Sequence, residues 1–395
     1  MYLTKEEEKM LNGEHGPSTE KAMKLLVRLG DIYGAEKMIS IQSAQAAGVS
    51  YKSIGDPGIE FLRGFAEEGA KMRVPTFLNP AGMDLENWKE LKFPEDFALK
   101  QNEIIDSFRK MGIVLSSSCT PYYWSNLPRI NEHLAWSESS AVSFANSVIG
   151  AKSNREGGPS ALAAGICGKT AYYGLHLEEN RKPEKIIDVS TSLESYADFG
   201  ALGNYIGKII KGGVPYFTGI KNADTDHLKA LGAAMAASGA VALYYIEGVT
   251  PKSEEQDISG LEKISFGEDE KKDTYEKLNT GQKVDLIALG CPHCSIREIA
   301  KIAEKIKGKK LKAEMWVCTS KPVKVLSDRM GYTKEIEDAG AKIVCDTCMV
   351  VSPIEKMGFK TTAVNSGKAA QYLPGFCKQN IVFGDIEKLI ERGCE

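Results

Sequence analysis

No uninterrupted apolar run in this chain is long enough to span a bilayer, and the N-terminus, MYLTKEEEKMLNGEHG, has no apolar core. Neither a membrane span nor a signal peptide is therefore expected, and a cytoplasmic protein is. Charge of one sign is also missing. Fifty Lys and Arg against 53 Asp and Glu leave a formal charge of -3, with both signs interspersed. No basic stripe offers itself to nucleic acid and no polybasic segment to a lipid surface, so a small molecule is the expected partner, with no nucleic acid and no membrane. Internal repeats, low-complexity tracts and heptads do not occur. Neither a Ser-His-Asp signature nor a paired-carboxylate pattern offers a base for proton abstraction. A disulfide framework is excluded as well, because nine cysteines are an odd number in a large chain without an export signal.

With 395 residues, 43% of them hydrophobic, the chain can fill two or three packed domains. Thr19 reads as the cap of a helix through EKAMKLLVRLGDIYG. The strand KMISIQSAQ follows, then a helix over 58–72. In VPTFLNPAGMD a strand passes into a loop, since Pro75 and Pro80 forbid continuous helix. A helix over about 95–111 and the strand GIVLSSSC come next. HLKALGAAMAASGAVALYYIEG predicts an alanine-rich helix from Leu228 to about Ser238 and then a buried strand. Strand and helix alternate, so the class is α/β with doubly wound sheets. Residues 250–281 are dense in charge and predict a linker. It would separate an N-terminal α/β region, residues 1–275 with room for two subdomains, from a C-terminal α/β domain, residues 283–395. In that second part VDLIALG, LKAEMWVC, AKIVCD, TTAVNSG and NIVFG read as strands. Helices from Ser295 to about Ile306 and from about Pro322 to Asp338 lie between them. Ligands of doubly wound units gather beyond the carboxyl ends of the strands, where Cys291, Cys318 and Cys345 fall.

The cysteines carry the chemistry. Two short pairs, Cys291-Pro-His-Cys294 and Cys345-Asp-Thr-Cys348, each lie where an apolar strand ends, and Cys119 follows a third strand in SSSCTPYY. Three readings follow. A structural zinc site would use both pairs, but they stand about fifty residues apart with helices between them, whereas compact ribbons separate theirs by about 15–20 residues. A thiol redox centre would begin a helix, which Pro292 and the context CDTCMVV fit poorly. An iron–sulfur cluster would take three thiolates from separate strand ends and leave one iron open to substrate. Each cysteine alone also reads as a small buried hydrophobe. That is the expectation for Cys167, Cys318 and Cys377, and Cys394 reads as incidental.

The runs GEHGPSTEKAMKLLVRLGDIYGA, NREGGPSALAAGICGKTAYYGLHLEENRKP, LGCPH, CDTCMVVSP and NSGKAAQYLPG, in this order, resemble the large subunit of the aconitase X family in its archaeal phosphomevalonate dehydratase branch. The likeness covers nearly the whole chain. It implies an aconitase-like multi-domain arrangement with the active site between domains. It also implies a hydro-lyase that removes water from (R)-mevalonate 5-phosphate to give trans-anhydromevalonate 5-phosphate. A separate small subunit, the swivelling domain, would complete the site as a heteromer and supply the base. The cofactor implied is an iron–sulfur cluster of the 4Fe–4S type. The family's ligands carry over to Cys119, Cys291 and Cys348, with Cys345 in reserve. Relatives that dehydrate cis-3-hydroxy-L-proline usually lack a cysteine at the position of Cys291, which favours the phosphomevalonate branch. The alternatives are that hydroxyproline reaction and a non-catalytic, zinc-stabilised subunit.

Loss of water beside a carboxylate needs a Lewis acid for the departing oxygen, which an open iron would supply. A substrate bearing carboxylate and phosphate needs cationic and amide donors. Arg155, after Asn154 and before Gly157-Gly158, offers a forked guanidinium beside exposed backbone N–H groups, though a solvated arginine in a turn is the plainer reading. Lys368 stands in a Ser-Gly-Lys turn at a helix start. It belongs to no phosphate loop, because the first glycine of that motif would fall on Thr362. His176 and the Glu179-Asn180-Arg181 run could orient a ligand, or could sit hydrogen-bonded in the core. Ser43, Gln45, Asn79 and Asp84 sit where loops should meet the site, and many aconitase X relatives carry His where this chain has Gln45. His293, between two cysteines, is expected to donate a hydrogen bond near the cluster rather than to ligate it.

Overall fold

A computed structural model describes residues 1–394. Short runs such as LIAL and EMWVCT form strands buried on both faces, which suits parallel sheets covered by helices. The C-terminal sheet has five parallel strands in the order Lys342–Cys345, Glu314–Thr319, Leu286–Leu289, Thr361–Val364, Asn380–Phe383. Successive side chains of a strand face opposite ways. Leu286, Ala288, Trp316 and Val364 therefore pack toward the helix Gly367–Cys377. Ile287, Leu289, Met315 and Val317 pack toward the helices Ile296–Ile306 and Ile386–Cys394.

The middle of the chain forms a four-stranded parallel sheet, Tyr245–Ile246, Pro215–Thr218, Lys185–Val189 and Glu262–Phe266 in that order. The first part holds a three-stranded parallel sheet of Thr76–Leu78, Ala44–Ala46 and Ala135–Trp136, with an antiparallel pair of Met38–Ser40 and Lys169–Ala171 beside it. The expected α/β class holds. Among the described residues no helix is long and apolar enough to cross a membrane.

Contacts between the first and last parts fix the ground between them. The Ala81 amide donates to the Asp346 carbonyl at 2.7 Å, and the Cys345 amide to Asp84 Oδ2 at 2.9 Å. Ser50 Oγ donates to the Val351 carbonyl at 2.8 Å. Lys52 Nζ reaches the Ser352 carbonyl at 2.9 Å, Glu355 at 2.8 Å and Cys377 Sγ at 3.1 Å.

Several local expectations need correction. Thr19 lies inside the first turn of the helix Pro17–Ile32, which follows Gly16 (φ 91°) and has Pro at its start. KMISIQSAQ is two strands, because the Ile41 and Gln42 amides turn to Gly168 and His133 as the chain changes sheets. The helix expected over 58–72 spans Tyr51–Glu67, capped by Ser50 and kinked at Gly55 (φ 57°). GIVLSSSC is no regular strand. Ser116 Oγ takes the bond from the Leu78 amide, and Ser117 lies at φ 41°, so serine hydroxyls compete with the ladder. The helix expected from Pro322 to Asp338 breaks at Gly331 (φ 79°) into Lys321–Met330 and Tyr332–Asp338. Residues 250–281, expected as a linker, contain the edge strand Glu262–Phe266 and the helix Glu268–Leu278. Their charge is that of an edge strand and a solvated helix face.

Helices Tyr196–Ile210 and Thr225–Gly239 approach through glycine. A Cβ on Gly203 would stand 2.5 Å from the Leu231 carbonyl oxygen and 2.8 Å from Ala234 Cβ. Gly203→Ala should thus lower the unfolding free energy by about 1–3 kcal/mol in chemical denaturation. Gly64, within Tyr51–Glu67, has nothing within 4 Å of such a Cβ, and Gly64→Ala should raise stability by about 0.5–1 kcal/mol.

Candidate active site

A cavity of about 620 Å³ opens between the first and last parts of the chain. Cys119, Cys291 and Cys348 all line it, and all three are buried. Cys291 and Cys348 arrive from strand ends and Cys119 from an extended segment. Cys291 follows Leu286–Leu289 through Gly290 (φ 94°), where a Cβ would stand 2.1 Å from the Cys318 carbonyl oxygen. Cys348 comes after Asp346, held at φ 63°, beyond Lys342–Cys345. Cys119 follows the extended serine segment, whose Ser118 amide is bound to the Leu78 carbonyl at 2.9 Å.

The side of the sheet to which each loop turns separates the thiols. Cys291, Cys318 and Cys348 belong to the core beneath Gly367–Cys377, whereas Cys294 and Cys345 belong to the core on the other side of the sheet. Each C-x2-C pair thus straddles the sheet and delivers one thiol to the cavity. Cys345, the reserve ligand, is not on the cavity wall. Two pairs divided in this way leave no four-thiol zinc site. Among the described residues no group of three or more His, Cys, Asp and Glu is spaced for a single metal ion. Cys318, Cys167 and Cys377 are buried in core clusters, and Cys394 is partly exposed.

His293 ties the thiol-bearing segments together. Its backbone N–H donates to Cys119 Sγ at 3.1 Å. Its ring Nε2 lies 2.9 Å from the Thr347 carbonyl, which only accepts, so Nε2 carries the proton. Nδ1 then accepts from Ser118 Oγ at 3.1 Å. Burial pushes this imidazole down to about 4, so it stays neutral and keeps that tautomer.

Beside the thiols, Lys368 and Glu138 form a buried ion pair. Burial alone would raise the Glu138 carboxyl, but the Lys368 ammonium and the Ser140 N–H and hydroxyl hold it at about 2. Burial would lower Lys368, but Glu138 and the thiols of Cys291 and Cys119 keep it well above the usual lysine range. Asn79 Nδ2 donates to Glu138 Oε2 at 2.8 Å. Among the sulfurs, a hydrogen bond from Cys291 brings Cys348 down to about 7, and the same contact holds Cys291 up. Burial pushes Cys119 up to about 12. Of the pair, Cys348 therefore gives up its proton before Cys291.

Of the other residues singled out in the sequence, Asn79, Arg155 and Lys368 line the cavity. Arg155 is exposed, and its side chain makes no ion pair among the described residues. Lys368 stands in the first turn of the helix capped by Ser366. The others lie off the wall. Ser43 Oγ accepts from the Trp136 indole at 3.1 Å, and Gln45 Nε2 donates to the Ser118 carbonyl at 3.2 Å, so both serve the first sheet. Asn154 bonds the Tyr173 carbonyl and the Leu175 amide, holding a loop. Gly157 precedes the helix Gly158–Cys167. His176 is buried against His133, with Nδ1 to Nδ1 at 2.9 Å. Asp84 bonds the Cys345 amide, and Arg181 is buried against Asn146 and nearby carbonyls.

Glu138, Ser139 and Lys52 also line the cavity, and sequence reasoning missed them. The one signal was Glu138 in WSESS, just past a short apolar strand and before a helix, where an acceptor caps the helix Ser139–Phe144.

Comparison with known proteins accords with this arrangement. Models of the aconitase X first, second and third domains match residues 1–179, 183–276 and 284–395. The phosphomevalonate dehydratase large subunit of Methanocaldococcus jannaschii is 58% identical, over 99% of this chain and 100% of that protein. The crystal structure of Thermococcus kodakaraensis aconitase X in its holo-form superposes with a TM-score of 0.94 at 50% identity, each chain fully covered. The cis-3-hydroxy-L-proline dehydratase of Pseudomonas aeruginosa is 30% identical over 97% of this chain but only 68% of its own length. The chain belongs to the aconitase X family.

His293 gives the fold a pH signature. Between pH 6.5 and about 4 the unfolded chain takes up a proton that the folded imidazole refuses, so stability falls as pH falls through that window. The contribution reaches about 3 kcal/mol at the acid end. His176, pushed down to about 3, adds a loss of the same sign. Denaturation at stepped pH should show a shallower slope for His293→Gln than for the wild type between pH 6.5 and 4.

Proposed function

We propose that this chain is the large subunit of a phosphomevalonate dehydratase. It is a cytoplasmic hydro-lyase that removes water from (R)-mevalonate 5-phosphate to give trans-anhydromevalonate 5-phosphate in the archaeal route to isoprenoids. The observation that carries the reading is the convergence of Cys119, Cys291 and Cys348 on one cavity wall. Relatives named as phosphomevalonate dehydratase large subunits at 50–58% identity stand closer than the hydroxyproline dehydratases, at 29–30%.

The donor set fits an iron–sulfur cluster. Such clusters take thiolates, and they spread their ligands wider than a single ion does. Cys119, Cys291 and Cys348 would hold it, as a 4Fe–4S cluster, and the His293 amide already donates to one of the sulfurs. A bound cluster supplies a Lewis-acidic iron for the departing hydroxyl.

The chain's own residues do the rest. Lys368 stays charged and offers the substrate an ammonium that it shares with Glu138. Arg155 at the rim has an unengaged guanidinium for a phosphate. Asn79 keeps Glu138 turned toward Lys368. Among the described residues Glu138 is the only carboxylate on the wall, and at about 2 it is too weak a base to take a proton beside a carboxylate. The proton acceptor in this reading comes from the small subunit, which closes the cavity as the second component of a heteromer. The hydroxyproline dehydratases extend well beyond the length this chain matches, and relatives matched over their full length are named large subunits, which supports a separate small subunit. The same reading divides the chain near residues 275–283, with the cysteine pairs in the C-terminal domain.

Anaerobic co-purification with the small subunit should give a coloured protein containing iron and sulfide. Cys119→Ser, Cys291→Ser and Cys348→Ser should each lower kcat by on the order of 10³-fold or more while the circular dichroism stays that of the wild type. A colourless, zinc-loaded complex, or an active Cys291→Ser enzyme, would overturn the ligand set. Water loss from cis-3-hydroxy-L-proline alone, and none from (R)-mevalonate 5-phosphate, would overturn the substrate.

A further inference from the structure

Lys229 lies in the helix Thr225–Gly239, and its side chain has no exposed surface. It takes no part in the cavity wall. Its ammonium donates to the His293 carbonyl at 3.1 Å and to the Glu298 carboxylate, with Asp226 Oδ1 at 3.5 Å. The rings of Tyr123 and Tyr196 flank it, with centroids at 5.2 and 5.6 Å.

Its partners come from loops that carry the thiols. Tyr123, four residues beyond Cys119, donates its hydroxyl to Asp226 Oδ1 at 2.6 Å. His293 stands between Cys291 and Cys294. Ser295, next in line, donates to Asp226 Oδ2 at 2.9 Å and caps the helix Ile296–Ile306 together with Glu298. A single residue separates the ammonium from a thiol, because Lys229 holds the His293 carbonyl and the His293 N–H donates to Cys119 Sγ.

Burying an ammonium with two carboxylates is costly, and well-packed apolar groups in their place commonly stabilise a fold equally well or better. What apolar groups cannot supply is direction. Each bond of this hub fixes one atom of a loop, and the loops fixed are those of Cys119 and Cys291.

We propose that Lys229, with Asp226 and Glu298, is a positioning residue that sets the loops of Cys119 and Cys291 in the arrangement that takes up and keeps the cluster. The inference rests on the cluster reading above. Lys229 touches neither substrate nor sulfur and acts through the His293 peptide.

The double variant Lys229→Met/Glu298→Gln removes the ammonium together with the carboxylate it is hydrogen-bonded to, and leaves Asp226 its bonds from Tyr123 and Ser295 and its ion pair with Arg297. The full chain, co-purified anaerobically with the small subunit, is compared with the wild type in three measurements. These are cooperative unfolding in denaturant, iron and sulfide content with visible absorption after reconstitution, and the rate of iron loss to a chelator. Unfolding should remain cooperative, while the variant loses iron roughly 10–100-fold faster and its visible spectrum shifts. Tyr123→Phe keeps the ring and deletes only the donor to Asp226, so it should fold even where the double variant does not, with iron loss several-fold faster than the wild type. Wild-type iron content and release rate in either folded variant would overturn the proposal. A wild-type complex that takes up no iron at all would overturn the cluster reading, and this inference with it.

Discussion

The site depends on one geometric constraint, the side of the parallel sheet to which each loop turns where its strand ends. After Leu286–Leu289 the turn at Gly290 (φ 94°) takes Cys291 off the face that alternation with Ile287 and Leu289 would give it. Cys291 and Cys348 reach the cavity because they leave the sheet on the side of Gly367–Cys377, while Cys294 and Cys345 leave it on the other. The same parallel order brings several strand carboxyl ends to one edge, so loops far apart in sequence meet there. Cys119 joins them from a separate sheet, through an extended segment whose hydroxyls replace part of a ladder. Sheet and loop together set three sulfurs on one wall.

Around that wall the polar groups are arranged to stay in one state. Glu138 is held ionised by Lys368, His293 is held neutral by burial, and the thiols Cys291 and Cys348 divide their protons unequally. Low dielectric makes each of these settings expensive to reverse. The pH dependence of the fold and the charge of the cavity therefore have a common origin in residues that are almost entirely out of water.

The C-terminal part was the most legible in the sequence. Its strands are short apolar runs, with helices such as Ile296–Ile306 carrying their own caps, so local pattern and global packing agree. The first part was less so. KMISIQSAQ changes sheets midway, and GIVLSSSC bonds through serine side chains, and neither event leaves a mark on periodicity. The charged residues 250–281 misled because an edge strand and a solvated helix have the composition of a linker. In the site the cysteines, Asn79, Arg155 and Lys368 could be found from motif and neighbours. Gln45, Asn154 and His176 carry equally suggestive chemistry, but their bonds go to the scaffold. Glu138 was hidden because its meaning depends on Lys368, 230 residues away.

Lys52 and Ser50, from the first part of the chain, grip the segment that follows Cys348, and Ala81 and Asp84 grip the residues just before it. The two jaws of the cleft are thus riveted to one another at its floor. A vessel braced in this way is stiff at its base, so its mouth keeps one width whether or not anything occupies it.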